Sequence, residues 1–369
     1  MNDIYIGVLS GTSMDAIDVA AVDFSKHKPT IIDTFSAAIP SAYKTACLKI
    51  INSGQCSLIE LGELDHWIGD LFANTVLEFL QHTNIPKDKI AAIGSHGQTI
   101  WHAPDANRPF TMQIGDPNII AVKTGLTTIA DFRRADIAAG GKGAPLIPAF
   151  HQACFSSAAE NRCVVNIGGI SNISFLSQGT VHGFDPGPGN CLMDLWTKQH
   201  FNLDYDKDGE IARSGKISPE LLDLCMADPY FTKPAPKSTG LEYFNQQWLA
   251  AKLAKIKANI TPADILATLL QITATCISQA ILESNCSDAR IYLFGGGSKN
   301  LTLCTALSKQ LDRTIQTTQA LGIEPSWMEA ALFAWLAKET YTRSKVDLTS
   351  TTGATQPVIL GGIYGQDKR

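Results

Sequence analysis

Short apolar runs broken by glycine-rich polar turns alternate along this chain with longer stretches of helical periodicity. Ile4, Tyr5, Ile6, Val8 and Leu9 form a run suited to a buried strand. Ser10 to Asp15 interrupt it, and Ile17, Val19, Ala20, Ala21, Val22 and Phe24 follow. The pattern predicts strand, tight polar turn, strand. Residues 163–176 repeat it: Val164, Val165 and Ile167, a turn over 168–172, then Ile173, Phe175 and Leu176. Laying Gly168 on Gly11 puts Gly169 on Thr12 and Asn172 on Asp15. Another glycine turn, Gly295-Gly296-Gly297-Ser298, closes the apolar run 291–294. Two glycine hairpins about half a chain apart predict a duplicated α/β unit.

Between these landmarks, 30–38 reads as a strand of the first meander and 41–52 as a helix. Leu58, Leu61, Leu64, Trp67, Ile68 and Leu71 recur at spacings of three and four, predicting a helix over 57–82 with His66 as a structural helix histidine. A buried strand at 90–93 runs into a polar loop over 94–99, with a second such loop at 112–117. A strand at 127–130 precedes 131–148, read as the crossing between lobes. Helices are predicted over 191–200, capped by Asn190, and over 243–258, 261–282 and 327–340. Residues 204–219 and 228–242 read as surface loops. The first begins like an EF-hand loop, but no flanking helix pair fits one. Residues 345–356 are polar and expected to be mobile, and the apolar 357–365 to dock the tail.

At 369 residues the chain is expected to hold two domains, and 45% hydrophobic against 18% charged residues supports sizeable cores. The net charge of −5 comes without a basic run, which argues against nucleic acid and anionic membrane as partners. A phosphorylated ligand must then be held by local amides, a few cations and a metal ion. Nine cysteines with no Cys-x-x-Cys pair read as free thiols in a reducing cytosol. The first residues carry no basic stretch of a signal peptide. Residues 265–282 lack charge over a length that approaches a membrane span. Their stripe of Thr268, Gln271, Thr275 and Ser278 and the Thr261-Pro262 start favour a largely buried helix instead.

Candidate chemistry sits at the turns. Gly11 lets backbone approach a ligand, and Thr12 and Ser13 offer N–H and hydroxyl donors, so this turn either cradles phosphate or is an ordinary hairpin. It lacks the Gly-Lys-Ser/Thr ending of a P-loop and the Gly-x-Gly-x-x-Gly dinucleotide pattern. His96, flanked by glycine and followed by Gln98 and Thr99, lies in a loop where open α/β sheets bind ligands. Arg133, Arg134 and Lys142 either hold an anion or are solvated surface charges. Asp185, in a turn of Pro and Gly ahead of a helix, is the first choice for a general base; its alternative is an Asx turn. Glu329 is either a favourable helix-dipole contact or a ligand of a substrate hydroxyl.

Two phosphate hairpins and a late glycine turn resemble the actin, hexokinase and Hsp70 superfamily. Gly11-Thr12-Ser13-Met14-Asp15, Asn166-Ile167-Gly168-Gly169-Ile170, Gly183-Phe184-Asp185 with Gly187-Pro188-Gly189-Asn190, and Met328-Glu329-Ala330 resemble the anhydro-N-acetylmuramic acid kinase family, over about residues 6–362. His96-Gly97-Gln98-Thr99 and Gly295-Gly296-Gly297 fit it too. Ala16, Pro186 and Ser298-Lys299 depart from its usual residues. The resemblance implies an α/β, two-lobed, ribonuclease H-like duplicated fold with ATP in the interlobe cleft. It divides the chain into 1–130 plus 345–369, and 131–344.

For ATP the resemblance implies Gly11, Thr12, Ser13, Met14, Asp15, Ala16, Ile17, Asp18, Gly168, Gly169, Asn172, Gly295, Gly296 and Gly297. For the sugar it implies His96, Gln98, Thr99, Arg133 and Glu329. Asp185 is the implied base, and Asp15, Asp18 and Asp185 the Mg²⁺ candidates, because Leu9 stands where the superfamily often has a metal-steering Asp. The implied reaction turns 1,6-anhydro-N-acetylmuramic acid, ATP and water into N-acetylmuramate 6-phosphate and ADP. The implied setting is cell-wall sugar recycling by a cytoplasmic homodimer. Competing expectations are an ordinary sugar kinase of this fold, an actin- or chaperone-like ATPase switch, and a sugar sensor.

Overall fold

A computed structural model describes residues 3–11, 14–26, 28–177 and 179–365. Each predicted apolar run becomes a strand, and the strands sort into two units: Met1–Cys154 with Trp327–Arg369, and Phe155–Ser326.

The first unit holds β1 (Ile4–Ser10), β2 (Ala16–Asp23), β3 (Thr30–Ala38), β4 (Ile90–Ser95), β5 (Gln98–Ala103), β6 (Phe110–Ile114) and β7 (Thr128–Ala130). The second holds β8 (Arg162–Ile167), β9 (Ile170–Ser177), β10 (Thr180–Pro188), β11 (Arg290–Phe294) and β12 (Ile315–Thr317). The chain then returns to the first sheet through β13 (Gly362–Tyr364), antiparallel to β7. The sheet orders are β13-β7-β4-β1-β2-β3 and β10-β9-β8-β11-β12. In each, an antiparallel meander is followed by strands added parallel to the far edge of its first strand. The shared order is direct structural support for the duplication. Parallel neighbours need long crossovers, supplied by helices such as Leu58–His82 and Pro262–Leu282.

Both of those helices start with reciprocal caps, Ser57 with Glu60 and Thr261 with Asp264. The second is long and apolar enough to span a membrane by length and composition. Its apolar positions, among them Leu266, Leu269 and Ile277, are instead absorbed into a core with Val165, Ile167 and Leu293. In the first unit one sheet face buries Ile6, Val8, Ile17 and Val19 against Ile68, Phe72 and Val76. On β1 and β4 the glycines Gly7 and Gly94 are register partners. A Cβ on Gly7 would sit 1.8 Å from the Ala330 carbonyl oxygen, and one on Gly94 2.1 Å from that of Phe333. The helix Met328–Tyr341 therefore lies backbone-close on the sheet.

That packing corrects the lobe boundaries. Residues 131–154 and 327–344 join the first unit, because the Met328–Tyr341 helix buries its small and apolar residues on β1 and β4. The expected loops at 94–99 and 112–117 are largely strand: β4 extends to Ser95, and β5 pairs with β6 in a separate two-stranded sheet. The helix predicted over 243–258 is confined to Gln246–Leu253. Residues 204–219 include a short helix, Glu210–Ser214, where the buried Asp206 carboxylate accepts from Ile211 N and Ala212 N. The segment expected to be mobile at 345–356 is tied down. Thr352 donates to the fully buried Asp136 (2.8 Å), Lys142 N donates to Thr352 O (3.0 Å), and Thr355 N donates to Ala139 O (2.8 Å).

Candidate active site

In the first unit, the β1–β2 turn is held by Met14 N donating to Gly11 O at 3.0 Å. Met14 takes a left-handed conformation (φ 51°) and sends its side chain into the core, as does Ile17. These two residues support the turn rather than present side chains from it. Thr12 and Ser13 lie outside the described residues. The exposed Asp15 carboxylate pairs with Lys44 Nζ at 2.6 Å. Asp18 accepts from Ser36 Oγ (2.7 Å), and its pKa is raised by burial. Among the described residues no group of three or more His, Cys, Asp or Glu side chains is disposed to hold a metal. Of the Mg²⁺ candidates, Asp15 and Asp18 belong to this unit and Asp185 to the other. A Mg²⁺ that keeps its waters and binds phosphate oxygens needs only one or two carboxylates. Asp18 suits that better than Asp15, which is already ion-paired.

At the end of β4, His96 stacks on Phe333 with ring centroids 4.4 Å apart. Arg133 donates from Nε (3.2 Å) and Nη2 (3.0 Å) to His96 Nε2, and from Nη1 to Gly143 O (2.8 Å). An Nε2 that accepts leaves the ring proton on Nδ1, so the imidazole is neutral. Desolvation first, and then the guanidinium, hold its pKa well below the ordinary histidine value. Arg133 itself is lowered to about 10 by desolvation, opposed by Glu329 and Asp136. Glu329, in the first turn of the Met328–Tyr341 helix, is raised by desolvation, with Arg133 opposing and Asp18 adding. Its side chain still reaches solvent. A first-hairpin carboxylate, a buried-edge arginine and a helix-start glutamate therefore share one electrostatic field.

Of the three cations left open by the sequence, Arg133 turns inward. Arg134 pairs with Asp131 (3.4 Å) and Lys142 with Asp105 (3.0 Å), both with exposed side chains. Gln98 is only 1% exposed, and its Oε1 has no hydrogen-bond partner among the described residues. Thr99 Oγ1 accepts from Gln113 Nε2 at 3.2 Å.

In the second unit the turn is shorter than its sequence suggested. Gly168 and Gly169 alone connect β8 to β9, and Asn172 lies inside β9 opposite Asn166. Gly168 O accepts from Asn190 N (2.8 Å), and Gly169 O accepts from Gly189 N (2.9 Å) and Cys191 N (3.1 Å). Gly189 must be glycine here, since a Cβ would meet Gly168 O at 2.2 Å. Asn190 does not cap the Cys191–Phe201 helix with its side chain; Nδ2 donates instead to Ile167 O at 3.0 Å. The late glycine turn meets the same strand end. A Cβ on Gly297 would strike Ile167 at 2.3 Å, and one on Gly295 (φ 79°) would strike Asn166 Oδ1 at 2.2 Å. Hairpin, helix start and glycine turn thus converge on the C-terminal end of β8, beside a helix N-terminus that favours anions. A cavity of about 460 Å³ opens there, lined by Asn190, Asp194, Gly296, Gly297 and Lys299 among others. Asp194, pushed up to about 6 by desolvation, escaped the sequence reading.

Asp185 is not in a Pro-Gly turn. It lies in β10, where the register with β9 shifts between Phe184 and Gly187. Such a bulge re-aims a side chain. Its Oδ2 accepts from Ser238 Oγ (3.0 Å) and Thr239 N (3.1 Å), so the carboxylate holds another segment and makes no Asx turn. Its pKa is raised by desolvation and lowered by Thr239 and Ser238. Ser238 and Thr239 carried no sequence signal, since they lie more than fifty positions away in a loop.

The family model for anhydro-N-acetylmuramic acid kinase matches residues 3–366. The anhydro-N-acetylmuramic acid kinase of Pasteurella multocida is 46% identical over 367 residues, covering 99% of this chain and 97% of the relative. That of Coxiella burnetii is 45% identical over 369 residues, covering 99% and 98%. Among solved structures, the activator of the 2-hydroxyisocaproyl-CoA dehydratase from Clostridium difficile with bound ADPNP aligns at TM-score 0.43 and 13% identity, covering 93% of this chain and 99% of that one. A ROK family glucokinase from Streptomyces griseus in complex with glucose and AMPPNP aligns at 0.39 and 12%, covering 91% and 99%. With a match across nearly its whole length and relatives identical at almost half of all positions, the chain belongs to the anhydro-N-acetylmuramic acid kinase family.

Proposed function

We propose that this kinase hydrolytically opens the 1,6-anhydro ring of 1,6-anhydro-N-acetylmuramic acid and phosphorylates the released O6. The observation that carries the mechanism is the Asp185 carboxylate, fixed through Oδ2 and partly desolvated. Asp185 takes a proton from a water molecule as the water oxygen bonds to C1. The C1–O6 bond breaks, and O6 attacks the γ-phosphorus while the bond to the ADP oxygen breaks. Sugar, water and ATP become N-acetylmuramate 6-phosphate and ADP.

The turns at Gly11 and at Gly168-Gly169 are the proposed phosphate elements, and the cavity at Gly296-Gly297 takes the nucleoside. Arg133 is assigned to the lactyl carboxylate and Glu329 to a sugar hydroxyl, with His96 holding Arg133 in place. Gln98 and Thr99 support that loop from within. Mg²⁺, held through Asp18 and the phosphates, would neutralise charge on the transferring group. The enzyme is further read as a cytoplasmic homodimer serving cell-wall sugar recycling, on the family resemblance.

The test is ADP release with Mg²⁺-ATP and the anhydro sugar in ¹⁸O water, wild type beside Asp185→Asn. A positioned base contributes about 10² to 10⁴ in rate, so the variant should lose at least that while staying folded. One ¹⁸O in the product supports ring hydrolysis. Turnover without ¹⁸O indicates an ordinary sugar kinase, and sugar-independent ADP release an ATPase switch.

A further inference from the structure

A ring of hydrogen bonds closes around the Asp185 backbone. Its N–H donates to the Lys237 carbonyl (3.0 Å). The Lys237 ammonium donates to the carbonyls of Tyr230 (3.1 Å) and Phe231 (3.0 Å). The Tyr230 hydroxyl donates back to the Asp185 carbonyl (2.6 Å). Lys237 Nζ also lies 4.9 Å from the Tyr230 ring centre, over a side chain that is 1% exposed. Among the described residues no carboxylate forms an ion pair with this ammonium. Carbonyl dipoles and a π face hold it, an arrangement that resists displacement of the loop.

The far end of the segment is anchored independently. Asp228, 6% exposed, accepts from Tyr230 N (3.1 Å) and Tyr243 Oη (2.6 Å) on Oδ1, and from Trp248 Nε1 (2.9 Å) and Lys252 Nζ (3.0 Å) on Oδ2. These four contacts leave neither oxygen free to wander, and they fix where Tyr230 begins. Beyond Lys237 the next two residues are the ones that hold the Asp185 carboxylate.

We propose that Lys237 is a positioning residue for Asp185: its ammonium closes the 230–237 segment on itself, so that Ser238 and Thr239 are carried onto Oδ2. The proposal rests on Asp185 being the base. Without the staple, 238–239 withdraws. Asp185 then loses aim and the two hydrogen bonds that fix its carboxylate. The titratable groups facing Lys237 are Lys233, Cys276 and Glu283, and Tyr230 faces Asp185. Among the described residues no hydrogen bond or ion pair joins the Lys237 ammonium to the Asp185 carboxylate, so the ammonium acts on it through the loop.

The experiment compares kcat per folded enzyme and both KM values of Lys237→Met and Tyr230→Phe with wild type. Both variants should lose about 10- to 100-fold in kcat, the worth of one or two hydrogen bonds to a charged group. KM for ATP and for the sugar should stay within about twofold. A merely structural role lowers the folded fraction or weakens substrate binding, so a kcat per folded enzyme equal to that of wild type overturns the proposal, as does a loss that falls on KM instead. Should Lys237→Met fail to fold, Tyr230→Phe, which removes one oxygen atom, decides alone. Full activity in Asp185→Asn would sink the base reading and this proposal with it. An inactive Asp185→Asn beside an unaffected Lys237→Met sinks the proposal only.

Discussion

Arg133 donates from both Nε and Nη2 to the single acceptor Nε2 of His96. The histidine can serve only while neutral, and its burial, then the guanidinium against it, keep it so. In the unfolded chain the same histidine titrates near ~6.5. As pH falls through that value the unfolded state takes up a proton that the folded state refuses, so stability is lost on acidification. The loss approaches ~1.4 kcal/mol per pH unit down to the lowered folded value. His96→Gln keeps an acceptor for Arg133 without the titration. Urea denaturation between about pH 7.5 and 5.5 should show a steeper decline for wild type than for the variant. Equal slopes would show that His96 titrates normally. His151, also lowered by burial, to about 3, contributes equally to both proteins.

Gly7 sets how closely the Met328–Tyr341 helix lies on the first sheet. A methyl group there has no space, because the contact is with backbone and not a side-chain tip. Gly7→Ala should cost at least about 1–3 kcal/mol, the range for overpacking, seen as a lower denaturation midpoint. If Glu329, which that helix carries, holds a sugar hydroxyl, any folded variant should also show a raised sugar KM with a smaller change in ATP KM. A neutral Gly7→Ala would mean that the helix sits further out.

If Asp185 is the base, only its ionised form can accept the proton, and burial raises its pKa above the usual aspartate value. Activity should therefore fall as pH drops through that raised value. Ser238→Ala removes one hydrogen bond to the ionised form, so the acid limb of kcat should shift further upward. A limb that stays put in Ser238→Ala would assign it to another group.

Asn190 ties the start of the Cys191–Phe201 helix to the end of β8, beside the Gly295–Gly297 turn. Asn190→Ala loses one partly buried hydrogen bond, worth about 0.5–1.5 kcal/mol. If the nucleoside binds at this junction, ATP affinity should weaken by about 3- to 10-fold in isothermal titration, with sugar affinity unchanged. Equal weakening of both ligands would locate the effect in overall stability.

The sequence by itself determined the local grammar. Short apolar runs between polar turns marked the strands, the three-and-four spacing of Leu58 to Leu71 marked a long helix, and two glycine hairpins marked the duplication that both sheets repeat. It put Asp185 and Glu329 among its candidates by residue type and context, and left Arg133 open beside Arg134 and Lys142. Tertiary structure alone decided what depends on distant partners. Asp185 sits in a strand bulge and not a turn, because Lys237, Ser238 and Thr239 pair with it from a loop that has no periodicity of its own. Asn190 looks like a helix cap in sequence, yet its amide finds Ile167 O within reach once β8 folds against it. In sequence Gly7 merely interrupts an apolar run and Gly94 opens an expected loop, until a helix from the far end of the chain needs their missing side chains. The lobe boundary moved for the same reason. Hydrophobic pattern shows that a helix has a face to bury, but only the folded chain shows which sheet receives it.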